Sequence, residues 1–361
     1  KVTLTLKKDG SNCTACNGYT VNISTSSTSN TATWSGTTTA ASTLAISGAM
    51  STSTTYYVWV GEDSNHKSTM KYSGVSFTGA SAATATVNFY TITGALSNAT
   101  MTFNGTSLAN NGTVVALGSS SAIHAIVGTG TSGYTFSSWT SSSTSSTITS
   151  DTTASTTFKA GAATTLTATG AANKATITIN KDGSAWSASG MKIDLSTSSS
   201  SDTATFTSTV SSGSTAVFDN TISGTTYYIW AGKHDGAKTT MVYTGVTVAG
   251  GLNKTATVNY YTVTRSQGTG TTLTTKWDSS SGTEFTNSPV VLGNNKVTIY
   301  AAASANEGYN NISLKHGSTV ITATGGTYTV NAKETLGSTA TANKVTLTLK
   351  KDGSNCTACN G

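Results

Sequence analysis

Apolar and polar side chains alternate over short stretches along the whole chain. In the opening residues Val2, Leu4 and Leu6 interleave with Thr3, Thr5 and Lys7, the period of two that turns one face of a strand to a core and the other to water. Asp9-Gly10 then supplies a turn, and Tyr19, Val21 and Ile23 begin the next alternation. Tyr56, Val58 and Val60 continue the habit, as do Ala85, Val87 and Phe89. Such runs recur about every 8–12 residues between Gly, Ser and Asn, the spacing of antiparallel sandwiches and small barrels. No stretch groups its apolar residues at the helical period. The run ATVNFYTIT (Ala85–Thr93) holds no breaker, so one strand is expected to leave one module and enter the next without a linker.

Composition sharpens this all-β reading. Only 9% of the 361 residues are charged and the formal net charge is +6, where an ordinary globular domain carries about 25% charged residues. Ser and Thr, about a third of the chain, take their place. Aromatics recur throughout beside Val, Ile and Leu, which disfavours disorder. The single proline, Pro289, gives no stiff polyproline spacer. No apolar run reaches membrane-span length, so no membrane insertion is expected in this segment, and so weak a charge points to no nucleic-acid partner.

Repeats set the organisation. Residues 1–18 read KVTLTLKKDGSNCTACNG, and residues 344–361 read the same, a period of 343 residues. Without the second copy, whose Lys344, Lys350 and Lys351 outweigh Asp352 by two, the charge is +4. The simplest account is one unit of a longer tandem array plus the start of the next; a duplicated terminal strand that pairs with a neighbouring subunit is the alternative. A fainter repeat lies inside the unit. KVTLTLKKDGS matches KATITINKDGS from Lys174, Trp34 matches Phe206, TTYYVWVGE matches TTYYIWAGK (Thr225–Lys233), and ATVNFYTIT matches ATVNYYTVT (Ala256–Thr264). The predicted order is four modules: 1–89 (A), 90–170 (B), 171–260 (A′) and 261–343 (B′), with 344–361 opening the next repeat.

Modules A and A′, with an opening strand, a DG turn, a YYVW strand and a closing ATVNYYTVT, resemble the prealbumin-type sandwiches of bacterial surface proteins. Module B, with Gly133, Tyr134, Phe136 and Trp139 in GYTFSSW and then ASTTF, resembles the β-grasp-like repeats of Listeria–Bacteroides surface proteins; B′ keeps only Gly308-Tyr309 and lacks the Trp. The resemblance implies extracellular presentation, adhesion or spacing. In some adhesin sandwiches a Lys and an Asn on neighbouring strands form an isopeptide bond, and Lys7 or Lys8 with Asn88, or Lys181 with Asn259, are the candidate pairs. The acid such chemistry needs is missing from the YYVW strand, so solvated lysines are the better expectation.

Cys13-Thr14-Ala15-Cys16 is a CxxC that recurs at Cys356 and Cys359. A zinc site wants two such pairs close in sequence, and a redox motif wants a helix N-terminus; neither setting is visible. A loop disulfide suits an oxidising exterior, with free thiols or inter-chain links as alternatives. The matching loop of A′ reads Trp186-Ser187-Ala188-Ser189.

Tyr57 and Trp59, repeated as Tyr228 and Trp230, face away from Tyr56, Val58 and Val60. They are expected to pack against a neighbouring module or chain; a second core face and a glycan platform are the alternatives. His66, His124, His234 and His316 lie singly, without a recognisable catalytic motif, and no acidic cluster for calcium is seen. No catalytic residue, cofactor or metal is therefore expected. Asn12, Asn22, Asn98, Asn104, Asn111, Asn253 and Asn311 open Asn-x-Ser/Thr triplets, candidate N-glycan acceptors.

Together these readings predict a tandem array of small β-sandwich and β-grasp-like modules forming an extended rod, on the order of 120–170 Å per unit. The expected role is that of an extracellular, non-enzymatic fibre, stalk or adhesin shaft. Its partners would be neighbouring repeats and identical chains; glycan or host binding through the Tyr/Trp pairs is the alternative.

Overall fold

A computed structural model describes residues 1–48, 50–80, 82–322 and 325–357. Strands account for all regular structure among them, and no helix there is long and apolar enough to cross a membrane. The chain divides into two compact units, residues 1–173 with 219–223, and 174–218 with 224–361.

In the first unit the strand Val2–Lys8 lies between two partners. It pairs antiparallel with Thr43–Ile46 and parallel with the long strand Ala83–Ser97, Val2 opposite Ala83 and Lys8 opposite Phe89. A second sheet orders the strands Trp34–Thr37, Thr20–Ser24, Thr55–Gly61 and Met70–Thr78. Val2, Leu4, Leu6, Val87 and Phe89 from one sheet meet Val21, Ile23, Tyr56, Val58 and Val60 from the other in one core. Each such fully buried aliphatic side chain contributes about 1.5–3 kcal/mol, which selects the register, because a one-residue slip would turn the apolar set outward.

The joint expected from ATVNFYTIT is present as one unbroken strand of 15 residues, Ala83–Ser97. Its second half pairs parallel with Thr164–Ala172 and antiparallel with Thr113–Gly118. There it covers a second core, in which Ile92, Val114 and Leu166 meet Met101, Phe103, Ile126 and Phe158 of a five-stranded sheet. The boundary read at 89/90 therefore falls inside a strand that serves two sandwiches.

The second unit repeats the plan. Lys174–Lys181 pairs parallel with Lys254–Gln267, whose far half pairs parallel with Glu334–Ala342. The sheets are thus mixed, where simple antiparallel order was expected. The first and last strands of a sandwich run side by side in the same direction, which the long intervening chain permits, since a parallel pair needs a long crossover.

Candidate functional site

The best-developed polar site lies in the first unit, where the Thr55–Gly61 strand gives way to a turn. Ser64 N donates to Val115 O and Leu117 N to Glu62 O, both at 2.9 Å, and Asp63 bridges Ala116. The turn is thereby fixed to the strand Thr113–Gly118, which also pairs with the joint strand. Asp63 is fully buried. Its Oδ1 accepts the backbone N–H groups of Asn65 at 2.7 Å and His66 at 2.9 Å, and His66 Nδ1 donates to the carboxylate at 3.1 Å. Asn104 Nδ2 donates to Oδ2 at 2.5 Å.

Asn104 reaches this place because Asn104-Gly105 forms a two-residue hairpin turn with φ of 48° and 81°, the left-handed pair that Asn-Gly favours. Its Oδ1 accepts Ala125 N at 2.9 Å, and its amide also meets His124 Nδ1 at 3.0 Å. His124 is buried and stacks on Phe103 with ring centroids 5.0 Å apart. Burial holds its pKa below the ordinary histidine value, since the charged form loses its hydration. Burial raises the Glu62 pKa, opposed by Lys71 with Nζ 3.6 Å away. Burial, then the Asp63 charge, pushes the Tyr19 hydroxyl up.

Glu62, Asp63 and His66 place donor atoms within 4.8 Å of one another, a grouping that the scattered single histidines did not foretell. Both Asp63 oxygens are already taken by protein N–H groups, so the arrangement acts as a clamp on the joint.

The equivalent turn of the second unit uses other chemistry. Asp235 N donates to Val290 O at 3.0 Å and His234 pairs with Val291, the same backbone frame. His234, which stands where Asp63 stands, stacks flat on Trp277 with centroids 3.9 Å apart and rings 6° from parallel. Lys233, in place of Glu62, donates to both Asp278 oxygens at 2.5 and 2.6 Å. Burial depresses the His234 pKa as well. Elsewhere in this unit His316 hydrogen-bonds the Glu334 carboxylate and packs on Tyr328; burial raises the Glu334 pKa and His316 opposes it.

Cys13 and Cys16 are joined in a disulfide whose sulfurs face the first core. Cys356 is also disulfide-bonded, and Cys359 lies outside the described residues. In the second unit Trp186 takes over this anchoring: its N donates to Ile179 O at 3.0 Å, as Cys13 N donates to Leu6 O at 2.9 Å, and its ring packs on Tyr260.

Tyr57 and Trp59 lie half-buried on the outer face, as alternation requires. Their rings meet a third, Tyr72, at 5.8 Å each, in the same sandwich. Tyr228, Trp230 and Tyr243 repeat the ladder at 5.7 and 5.9 Å. Tyr72 and Tyr243 were absent from the sequence-based set, although TMKY and TMVY align and cross-strand pairing would bring them in. Trp59 Nε1 donates to Ser26 O at 3.0 Å and Trp230 Nε1 to Ser198 O at 3.1 Å, each tying down a serine-rich loop.

Register sets Lys8–Asn88 and Lys181–Asn259 aside as isopeptide pairs and leaves Lys7 as the lysine facing Asn88. Lys8 lies opposite Phe89 and Lys7 opposite Asn88; Lys181 lies opposite Tyr260 and Asn180 opposite Asn259. Lys8 and Asn88 therefore point to opposite faces of the sheet, and so do Lys181 and Asn259. Of the triplet asparagines, Asn12, Asn98, Asn111, Asn253 and Asn311 are exposed. Asn98, Asn104, Asn111, Asn253 and Asn311 all have positive φ, so turn geometry accounts for Asn there. Asn104 is withdrawn as an acceptor because the clamp consumes its amide. Asn22 is also engaged, through Asn30 O and Ser35 Oγ.

No family model and no curated protein matches the chain. Among solved structures, the Bacillus anthracis TIE protein is similar at TM-score 0.26 and 9% identity over 79% of this chain and 59% of that one. The pilus adhesin SpaC of Lactobacillus rhamnosus GG in its open conformation is similar at TM-score 0.21 and 11% identity, over 81% and 48%. This chain thus spans about half the length of those proteins, and at such TM-scores neither superposition carries an argument about it. The prealbumin-type and Listeria–Bacteroides resemblances rest on the residues quoted for them.

Proposed function

We propose that the chain is a structural repeat unit of an extracellular fibre, stalk or adhesin shaft, without enzymatic activity, whose partners are neighbouring repeats and identical chains. The observation that carries this reading is the shared strand. Ala83–Ser97 and Lys254–Gln267 each belong to two successive sandwiches, so a joint is a hydrogen-bonded strand with partners along both halves. Side-chain clamps at Asp63 and at His234 then fix each joint a second time. Energies of such nearest-neighbour contacts add along an array, and the 18-residue match at an offset of 343 supports reading the chain as part of one. Electron microscopy of the native assembly tests this: filaments with an axial repeat of one unit are expected, and discrete particles would overturn it.

Glycan binding is the second reading, supported by the three-ring ladder on the outer face of each YYVW sheet. A glycan array with Tyr72→Ala and Tyr243→Ala controls separates the two.

A further inference from the structure

The joint strand of the second unit, Lys254–Gln267, carries Asn259 and Tyr261 on one face, two positions apart as alternation requires. Beside them the strand Val290–Leu292 runs into Gly293-Asn294-Asn295, a turn whose two asparagines have φ of 62° and 57°. Asn295 N donates to Val330 O at 3.0 Å, which brings Asn331 to the same place. Asn294 Nδ2 donates to Thr244 O at 2.9 Å, and Gly245 follows at φ 78°. Two glycines permit these approaches: a Cβ on Gly245 would stand 2.3 Å from Asn294 Nδ2, and one on Gly293 would stand 2.4 Å from the Tyr261 ring. Together these residues wall a cavity of about 230 Å³. Val258 and Leu292, both fully buried, give it an apolar floor, and no lining residue is charged. Asn259, Asn294 and Asn331 are exposed around it. Among the described residues the amides of Asn259 and Asn331 have no hydrogen-bond partner, and Asn294 Oδ1 has none.

We propose that this cavity binds one neutral pyranose ring of a glycan. A carboxamide offers two N–H donors and an acceptor oxygen, the complement of ring hydroxyls that both donate and accept. Three such groups around an apolar floor are the pattern of a small-molecule site, in which a few placed polar groups set orientation. The Tyr261 ring and the Val258–Leu292 floor suit the C–H face of a sugar. A charged ligand would find no counter-charge in the lining. The volume falls below the about 300–1,000 Å³ of drug-sized sites, which limits the occupant to a single ring. The first unit keeps Asn88 and the Tyr90 ring over Gly118, but Ser119 stands beside Gly74 where Asn294 stands beside Gly245. The shorter serine removes one of the three amides, so the site belongs to the second unit. It is separate from the Tyr228, Trp230 and Tyr243 ladder, shares only a ligand class with that reading, and is independent of the fibre reading.

The test follows the side-chain amides of the isotope-labelled full chain by nuclear magnetic resonance. Methyl pyranosides of glucose, galactose, mannose and N-acetylglucosamine are titrated in, with glucuronate as a charged arm and glycerol as a small polyol control. At least one neutral glycoside is expected to shift the Asn259, Asn294 and Asn331 amides together and saturably, with a Kd on the order of 1 mM. Asn259→Ala combined with Asn331→Ala should weaken binding about tenfold, the loss of two hydrogen bonds to ligand. The melting temperature should stay where it is, because neither side chain is tied into the fold. Asn294→Ser, which copies the first unit, should weaken binding several-fold, and Tyr243→Ala should leave it unchanged. Four outcomes overturn the proposal: no neutral glycoside saturates the three amides, glycerol shifts them equally, glucuronate alone binds, or binding survives the double alanine variant. Binding lost in Tyr243→Ala but kept in the double variant would place the sugar on the ladder and support that reading instead.

Discussion

Asn104 Nδ2 donates to His124 Nδ1 at 3.0 Å, so the imidazole carries its proton on Nε2, which donates to the Leu117 carbonyl at 2.9 Å. A second proton on His124 would set two donors face to face, beside a carboxylate, Asp63, already bound to the same amide.

Acid should therefore loosen this joint. A histidine with a depressed folded pKa contributes fully above its unfolded value of 6.5, and that contribution is lost as pH falls below it. His234 acts in the same direction. Glu62, shifted up by burial, works oppositely in a lower window: its contribution is present below the ordinary value of 4.5 and is lost as pH rises toward its folded pKa. Thermal unfolding scanned from about pH 7.5 down to about pH 5 should show a falling midpoint. His124→Gln should remove part of that slope; an unchanged slope would show that the histidine is not the sensor.

Asn104→Ala leaves an Asp63 oxygen and the His124 nitrogen without their donor. A loss of about 2–4 kcal/mol is expected in denaturant titrations. Asn253→Gly, at an exposed turn of φ 49°, should change stability by less than about 0.5 kcal/mol.

The Cys13–Cys16 bridge closes a very short loop, and the chain-entropy relation gives it about 2 kcal/mol. Both sulfurs are buried, so the replacement matters. Replacing both by Ala should cost about that amount, and replacing both by Ser should cost more, because two hydroxyls enter an apolar site. Equal melting curves for the two variants would contradict this.

Trp59→Phe keeps a ring in the ladder and removes the donor to Ser26 O. Amide exchange in residues 26–31 should accelerate several-fold, with little change elsewhere in the first unit. Trp230→Phe should do the same to residues 198–203.

In the second unit the flat His234–Trp277 stack is expected to outweigh the ion pair beside it. Trp277→Ala should cost about 3 kcal/mol. Asp278→Asn should cost under about 1 kcal/mol, because the carboxylate is 63% exposed and solvent screens it.

Much of the architecture was legible from alternation alone. The faces of Val2–Lys8 and Thr55–Gly61, the unbroken joint strand and the outward Tyr57/Trp59 pair all follow from a period of two. The clamp was not legible. Asp63, Asn104 and His124 come from three separate elements, and none carries a local signal of its neighbours. Asn104 even carried a misleading one, since a glycosylation triplet and an Asn-Gly hairpin share the same letters. Register also escaped: alternation says which face a lysine takes, but only the pairing puts Phe89, and not Asn88, opposite Lys8.

The duplicated segment separates the two kinds of information. Asp9-Gly10 and Asp352-Gly353 adopt the same left-handed turn, with φ of 52° and 83° in one copy and 51° and 83° in the other. Each turn closes the same small hairpin, because it depends only on residues within a few positions. Val2–Leu6 lies in a buried strand, whereas the identical residues 345–349 form none. A strand draws its hydrogen bonds and its burial from chain segments distant in sequence, which the letters of the segment itself do not specify.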